Sequence, residues 1–300
     1  MNIVMEYGED SSELTSRNWS MAFCGRSLDA RSLKAIEYLN NKTEALLNFH
    51  YDAETFQFFL NNQSENIDDI EEFFLTNDLV KQNIIIDATS LDFAELLILC
   101  QTYKNLGILN IDILYIEPAQ YVVSVHRLTE NRYFDLSKKI RGFLAIPKHA
   151  LSYDTSDNLV VLCGYEGERL GLAFEEYDIL GANCKLIFGM PPYSYGWDMN
   201  SYVNFLPIIK KHDIEHQFHY CPAANPLAIF EKLNDIYLSI NENQKMFVLP
   251  LGTKPMSIGA ILFLLEHNKS GNVSVLYDHP ILNNDSNIDL VTWNLFKITL

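Results

Sequence analysis

Short hydrophobic runs alternate with amphipathic stretches along most of the first half of the chain. Apolar residues at 21–25 have the pattern of a buried strand, and the next stretch places apolar residues at helical spacing. The same alternation predicts strands at residues 21–25, 44–51, 84–87 and 111–116, and helices at residues 29–40, 67–75 and 92–103. Strands separated by single helices are typical of a parallel sheet with right-handed crossovers.

The second half repeats this order. It predicts strands at residues 158–164, 184–189, 215–220, 246–251 and 273–277, and helices at residues 168–177, 197–211, 226–240 and 255–267. We therefore expect an α/β protein made of two Rossmann-like halves with mostly parallel sheets. The expected division is an N-terminal arm (residues 1–20), a first half (21–145) and a second half (146–300).

The two halves also share short segments in the same order. The matched pairs are Phe23-Cys24-Gly25 with Leu162-Cys163-Gly164, Asp87-Ala88-Thr89-Ser90 with Leu251-Gly252-Thr253-Lys254, and Leu114-Tyr115-Ile116-Glu117-Pro118 with Leu276-Tyr277-Asp278-His279-Pro280. Three ordered matches favour internal duplication, with a seam near residues 141–157.

The composition of the chain limits the classes of binding partner and the cellular location to be expected. With 22 basic against 39 acidic residues the net charge is −17, which argues against long DNA or RNA as the main partner, although a local pocket could still bind a small anion. Hydrophobic residues make up 48%, and no apolar run has the ~18–20 residues that a membrane span needs. The five cysteines form no CxxC pair, and the acidic first ten residues do not resemble a secretory signal, so we expect a cytoplasmic protein.

Four strand-to-helix junctions are candidate ligand loops. In open parallel sheets, ligands bind beyond the carboxyl ends of the strands, where unpaired N–H groups at helix starts attract anions. The candidate residues at these junctions are Gly25, Arg26, Ser27, Thr89, Ser90, Gly164, Tyr165, Glu166, Gly252, Thr253, Lys254 and Ser257. No catalytic residue and no cofactor is predicted.

The junction at Gly252-Thr253-Lys254-Pro255 is the most suggestive. Gly252 permits an unusual backbone angle and close ligand approach, and Lys254 supplies positive charge. Thr253 could donate its hydroxyl to a ligand or cap the following helix, with Pro255 in its first turn. The competing interpretation is an ordinary helix start with a solvated lysine.

The segment from Gly252 to Ala260 resembles the signature of CARF domains, which are Rossmann-like sensors of cyclic oligonucleotides in prokaryotic immunity. The related SAVED domains look like two CARF units fused in one chain. The resemblance implies that Gly252, Thr253 and Lys254 contact ligand phosphate or ribose, with Met256 beneath the loop. The sequence departs from the motif at Pro250 and Leu251, and the first half lacks the Gly and Lys. An asymmetric or lapsed site is consistent with these departures.

Three other groups of residues are further candidates for a ligand or metal site. The glycine-containing loop at Gly164 lacks the spacing of dinucleotide or P-loop motifs, and its glutamates would repel phosphate unless Arg169 or a metal intervened. Tyr193 and Trp197 stand in an aromatic, proline-rich loop that could stack on a base or contact a partner, or simply form a rigid turn. Histidines and a cysteine cluster near a predicted strand, where a polar edge is favoured over a zinc site; they are His212, His216, His219 and Cys221.

Motifs of serine hydrolases, zinc proteases, protein kinases and HEPN ribonucleases are not found in the sequence. We expect a regulatory module that binds a nucleotide-type ligand, such as a cyclic oligonucleotide, and controls a separate effector protein in antiviral defence. The first alternative is a phosphodiesterase in which Lys254 stabilises developing phosphate charge and Thr253 or Ser257 orients a ribose hydroxyl. The second is a scaffold that docks a nuclease or helicase without any ligand.

Overall fold

The computed structural model describes residues 2–14, 17–121, 124–125, 132–133, 136–214, 217–283 and 287–300. Its strands are β1 (Asn2–Gly8), β2 (Trp19–Cys24), β3 (Thr43–Asp52), β4 (Gln57–Leu60), β5 (Gln63–Asn66), β6 (Ile84–Asp87), β7 (Asn110–Tyr121), β8 (Ser124–Val125), β9 (Arg132–Tyr133), β10 (Ser137–Ile140), β11 (Asn158–Cys163), β12 (Cys184–Gly189), β13 (Phe218–Cys221), β14 (Met246–Pro250), β15 (Val273–Val275), β16 (Pro280–Leu282) and β17 (Asn287–Thr299). Its α-helices are α1 (Ala30–Lys42), α2 (Ile70–Thr76), α3 (Phe93–Asn105), α4 (Glu168–Glu176), α5 (Trp197–Lys211), α6 (Pro226–Ser239) and α7 (Lys254–His267). Within the described ranges, none of these helices has the length and apolar character needed to cross a membrane.

The chain forms two compact units. Unit 1 contains residues 1–122 together with residues 282–300, and unit 2 contains residues 123–281. This division differs from the expected one, because the C-terminal strand β17 returns to unit 1 and the connection leaves unit 1 directly after β7. Residues expected to form an N-terminal arm instead supply β1, which pairs antiparallel with β17.

Unit 1 is built on an eight-stranded sheet in the order β1-β17-β7-β6-β2-β3-β4-β5. Its centre is parallel, because β7, β6, β2 and β3 run in one direction. The outer strands are antiparallel to their neighbours on both sides, so the sheet is mixed rather than mostly parallel. The hydrophobic pattern predicted the buried central strands but missed β1, β4, β5 and β17. In β1 and β4 exposed and buried positions are interspersed, and β5 is exposed throughout.

Unit 2 contains a five-stranded, wholly parallel sheet in the order β13-β12-β11-β14-β15. All residues of β11 and β14 are buried, which explains their continuous apolar sequences. Helix α7 is buried along nearly its whole length, as its all-round apolar sequence requires. At Gly259 a Cβ would lie 2.4 Å from the carbonyl oxygen of Pro226, so only glycine permits the close approach of α7 to α6.

The parallel centres of the two sheets have the same strand order. In unit 1 the order is β7-β6-β2-β3, and in unit 2 it is β15-β14-β11-β12. In each, the first strand of the unit's parallel set lies at the centre, and the chain moves first to one side of it and then to the other. Internal duplication of the whole fold stays a prediction, and the shared strand order is consistent with it.

Candidate functional site

The carboxyl ends of β11 and β14 form the point in unit 2 where the chain switches sides of the sheet. Ligands of open α/β sheets bind in the crevice at such a switch point. The two loops approach closely here, because a Cβ on Gly164 would lie only 1.9 Å from the carbonyl oxygen of Leu251. Both junctions predicted for this half therefore lie side by side at one edge of the sheet.

Thr253 is the N-cap of α7 and is tied to the neighbouring loop. Its hydroxyl donates to the carbonyl oxygen of Ala223 at 2.6 Å and accepts from the amide of Met256 at 3.4 Å. The cap interpretation of Thr253 is thus satisfied structurally. Lys254 follows as the first residue of α7, with its side chain partly exposed, and Ser257 is buried one turn further on.

Gly252 does not adopt a left-handed backbone angle, so the unusual conformation expected of it is wrong. Its small size has another reason. A Cβ at Gly252 would lie 2.9 Å from the sulfur of Met256, which is fully buried beneath the loop.

Two aromatic side chains meet at the same edge. The rings of Tyr165 and Trp197 are in edge-to-face contact with centroids 5.9 Å apart. Helix α5 holds the loop below them, since Ser201 donates to the carbonyl oxygen of Gly164 at 2.6 Å and Asn204 donates to that of Tyr165 at 2.9 Å. Tyr193 is partly buried in the loop that leads to Trp197.

Glu166 accepts hydrogen bonds from other parts of the protein, so its carboxylate is not exposed to a ligand. Its carboxylate is buried and accepts from the backbone amides of Leu136 and Ser137 and from the Ser137 hydroxyl, at 3.1, 2.7 and 2.8 Å. Arg169 donates to it at 3.1 Å and forms a bidentate pair with the fully buried Asp278, at 2.7 and 2.5 Å. Glu166 therefore stabilises the connection through residues 136 and 137, and its oxygens are already occupied.

The corresponding junction of unit 1 is sealed by side chains. Ser90 accepts from the amide of Gly25 at 2.7 Å and donates to the buried Asp87 carboxylate at 2.5 Å. Thr89 accepts from the amide of Ile116 at 3.0 Å. Thr89 and Ser90, both predicted to face a ligand, thus have internal hydrogen bonds that fix the loop. Of this group, Arg26 and Ser27 are exposed.

An arginine follows the first central strand of each unit, and neither arginine was predicted as a site residue. Arg31 in unit 1 donates from two nitrogens to one carboxylate oxygen of Asp29, at 3.0 and 2.8 Å, and to the carbonyl oxygen of Ile116 at 3.0 Å. Ile116 occupies the same place in its matched segment as Asp278, the partner of Arg169 in unit 2. The available signal was an arginine a few residues beyond each Cys-Gly pair, with a carboxylate just before it.

Glu117, next to Ile116, was also missed as a site residue. Its side chain is 7% exposed and forms no hydrogen bond with any residue that the structure describes. Burial raises the pKa of Glu117 to about 7, although the nearby Arg31 acts in the opposite direction. Unit 1 therefore contains a carboxyl group that changes its charge near neutral pH.

The histidine and cysteine group does not assemble into a metal site in the described part of the chain. His212 stacks on Phe174 with ring centroids 3.9 Å apart, and the Cys221 thiol donates to the carbonyl oxygen of Ala228 at 3.6 Å. His216 lies outside the described residues, and among those that are described no group of three potential ligands converges. The five cysteines are buried free thiols.

Comparison of the sequence with models of known protein families and with curated proteins gives no match. The candidate site consequently stands on its own geometry: Gly164, Tyr165, Trp197, Gly252, Thr253 and Lys254 at the carboxyl edge of one parallel sheet.

Proposed function

We propose that this chain is a CARF- or SAVED-like sensor that binds a nucleotide-type ligand at the carboxyl edge of the unit 2 sheet and controls a separate effector protein in antiviral defence. The observation that carries the proposal is the convergence of the loops after β11, β12 and β14 at the switch point of a wholly parallel sheet.

Each part of a nucleotide has a complementary group at this edge. Lys254, at the positive end of the α7 helix dipole, presents positive charge to a phosphate. The rings of Tyr165 and Trp197 offer apolar surface on which a base can stack. Because the chain is strongly acidic overall, such local positive charge is what would attract a small anion while long nucleic acids are repelled.

An effector partner would need an exposed apolar surface, and unit 2 has one beside the candidate site. Tyr195 is fully exposed, and on α5 Met199 and Val203 are 61% and 42% exposed. The two helix residues are four positions apart and therefore lie on one face of α5. This surface favours a protein partner for the sensor, and it equally suits the scaffold alternative.

The proposal is tested by calorimetry and thermal unfolding with a panel of cyclic and linear oligonucleotides. A ligand that binds the folded state raises the midpoint of unfolding by mass action. We expect one cyclic oligonucleotide to do so in the wild-type chain, and Lys254→Ala to weaken binding by about 10-fold or more, as loss of a charged hydrogen bond does. Lys269→Ala, which changes a lysine beyond the end of α7, is the matched control and should bind like the wild type.

The same experiment separates the alternatives. Conversion of the bound ligand to a linear product would favour the phosphodiesterase, and no binding across the panel would favour the scaffold and end the sensor proposal. Equal binding by Lys254→Ala and wild type would show that the ligand is held elsewhere.

A further inference from the structure

Unit 1 contains a histidine whose orientation is fixed by a carboxylate. Nδ1 of His50, on β3, is 2.7 Å from Oε1 of Glu95, which is in the first turn of α3. The imidazole also stacks on Phe59 of the adjacent strand β4, with centroids 6.0 Å apart and planes 28° apart. One hydrogen bond and one ring contact therefore determine the position of the His50 ring.

Glu95 is itself held rigidly. Oε1 also accepts from the amide of Tyr51 at 3.2 Å, and Oε2 accepts from the amide of Asp92 at 2.8 Å. The side chain is 6% exposed, and its other described partners are the two backbone amides. Because the Glu95 oxygens accept at these positions, the proton of His50 lies on Nδ1, and Nε2 is the nitrogen that can interact with something else.

Nε2 of His50 forms no hydrogen bond with a described residue, and the side chain is 19% exposed. The ring thus has one nitrogen that can interact with a ligand. When that nitrogen is protonated, the ring is a cationic donor that keeps its Nδ1 hydrogen bond to Glu95. Glu95 is the charged group that contacts the ring from α3, and β4 contributes only Phe59.

Arg26 starts from the same edge of the sheet. The Cα of Cys24 pairs with that of Asn48 on the neighbouring parallel strand, so Arg26 and His50 each lie two residues beyond a paired position. Asn48 donates to the carbonyl oxygen of Gly25 at 2.8 Å and holds the start of the loop against β3. Arg26 is exposed and forms no ion pair within the described residues.

We propose that His50, oriented by Glu95, and Arg26 form an anion site in unit 1 that binds the phosphate group of a small phosphorylated ligand. An arginine fork and an imidazolium nitrogen are donors that match phosphate oxygens. The site is independent of the Lys254 loop and does not rest on the function proposed for it. Its donors come from the ends of two adjacent parallel strands, where the open sheet presents its loops to ligands.

The test titrates inorganic phosphate, AMP and adenosine into the wild-type chain at pH 6 and follows the imidazole resonances by NMR, with affinities from calorimetry. The His50 signals are assigned by their loss in His50→Asn. That variant keeps an amide nitrogen in place of Nδ1, so it can still donate to Glu95, but it has no atom in place of Nε2. If His50 were purely structural, its replacement by asparagine should leave phosphate binding unchanged, although the ring contact with Phe59 is lost.

We expect inorganic phosphate and AMP, but not adenosine, to shift the His50 resonances. His50→Asn and Arg26→Ala should each weaken phosphate binding at this site by about 10-fold or more, while Lys269→Ala leaves it unchanged. The site is refuted if phosphate leaves the His50 resonances unmoved, if adenosine binds as well as AMP, or if His50→Asn binds phosphate like the wild type. Failure of the Lys254 loop to bind any ligand would not affect this result.

Discussion

The two units use the same strand order but close the carboxyl edge of the sheet in different ways. In unit 2, Arg169 is saturated by two buried carboxylates, those of Glu166 and Asp278. In unit 1 the described partners of Arg31 are the Asp29 carboxylate and the carbonyl oxygen of Ile116, and Glu117 is buried nearby without a hydrogen bond to a described residue. Matching sequence segments can therefore conserve a backbone path while the side chains along it differ in charge.

The residues that follow the neighbouring central strand also differ between the two units. Ser90 in unit 1 connects Asp87 to the amide of Gly25 across the crevice. In unit 2 the aligned position is Lys254, whose ammonium group cannot accept from an amide as Ser90 does, and the two loops approach closely through the backbone at Gly164 and Leu251. Unit 1 is therefore sealed by side chains at the place where unit 2 keeps a cation.

The largest expected effect comes from removing the arginines. Arg169→Met leaves Glu166 and Asp278 buried without their cation, and loss of one member of a buried ion pair typically costs about 3–5 kcal/mol. Arg31→Met removes the described pair with Asp29, whose carboxylate still accepts from the amide and hydroxyl of Ser32, so we expect about 1–2 kcal/mol. Hydrogen exchange read by mass spectrometry assigns each loss to its unit. Equal losses in the two units would contradict the comparison.

The next effect concerns the glycines after the two central strands. A Cβ on Gly164 or Gly25 would lie 1.9 or 2.4 Å from a backbone carbonyl oxygen, which cannot move without shifting a strand end. Alanine at either position should destabilise its unit by about 2–3 kcal/mol. Gly252→Ala is the matched control. Its Cβ would meet no backbone atom within the three nearest contacts, but the flexible end of Met256 and the Cβ of Leu162 at 3.3 Å, so it should cost less than about 1 kcal/mol. Urea unfolding measures all three, and a cost at Gly252 as large as at Gly164 would show that the Lys254 loop is as tightly packed as the strand ends.

The central strands and most helices could be predicted from the sequence, because their apolar residues are continuous or recur at helical spacing. Strands β6, β12 and helix α5 begin and end at the predicted residues. Strand β1 could not be predicted, since Val4, Met5 and Tyr7 are exposed and no alternation distinguishes the buried face. For the candidate site, the junctions could be located, but not which side chains stay unoccupied. Glu166 and Ser90 find partners far along the chain that no local pattern encodes.

Removal of the two loop hydroxyls should give a smaller contrast. Ser90→Ala leaves the Gly25 amide and the Asp87 carboxylate without this partner, which we expect to cost about 2 kcal/mol in unit 1. Thr253→Ala removes a helix cap and one bond to Ala223, which we expect to cost about 1 kcal/mol in unit 2. Thr253→Ser keeps both bonds and serves as the control in the same unfolding measurements. If Thr253→Ala lowered the free energy of unfolding more than Ser90→Ala, the hydroxyl bonds would matter more in unit 2, and the conclusion that side chains close the loop in unit 1 would be wrong.

The smallest effect near neutral pH is a difference in the sign of the pH dependence of the two units. Burial raises the pKa of Glu117 to about 7 in folded unit 1, so this unit becomes more stable as the pH falls from about 7 toward the ordinary glutamate value. Burial, aided by Lys148, lowers the pKa of His149 to about 4 in folded unit 2, so that unit loses stability as the pH falls from about 6.5. Each slope is at most about 1.4 kcal/mol per pH unit.

Tryptophan fluorescence during urea unfolding can report on unit 1 alone in Trp197→Phe, because the remaining tryptophans are Trp19 and Trp293. In this background Glu117→Gln should abolish the gain at low pH, whereas His149→Phe should leave it in place and remove the acid sensitivity that hydrogen exchange detects in unit 2. Slopes of the same sign in both units would mean that Glu117 is ionised and hydrogen-bonded in folded unit 1, and that the contrast between the two arginine sites is one of geometry without a difference in charge.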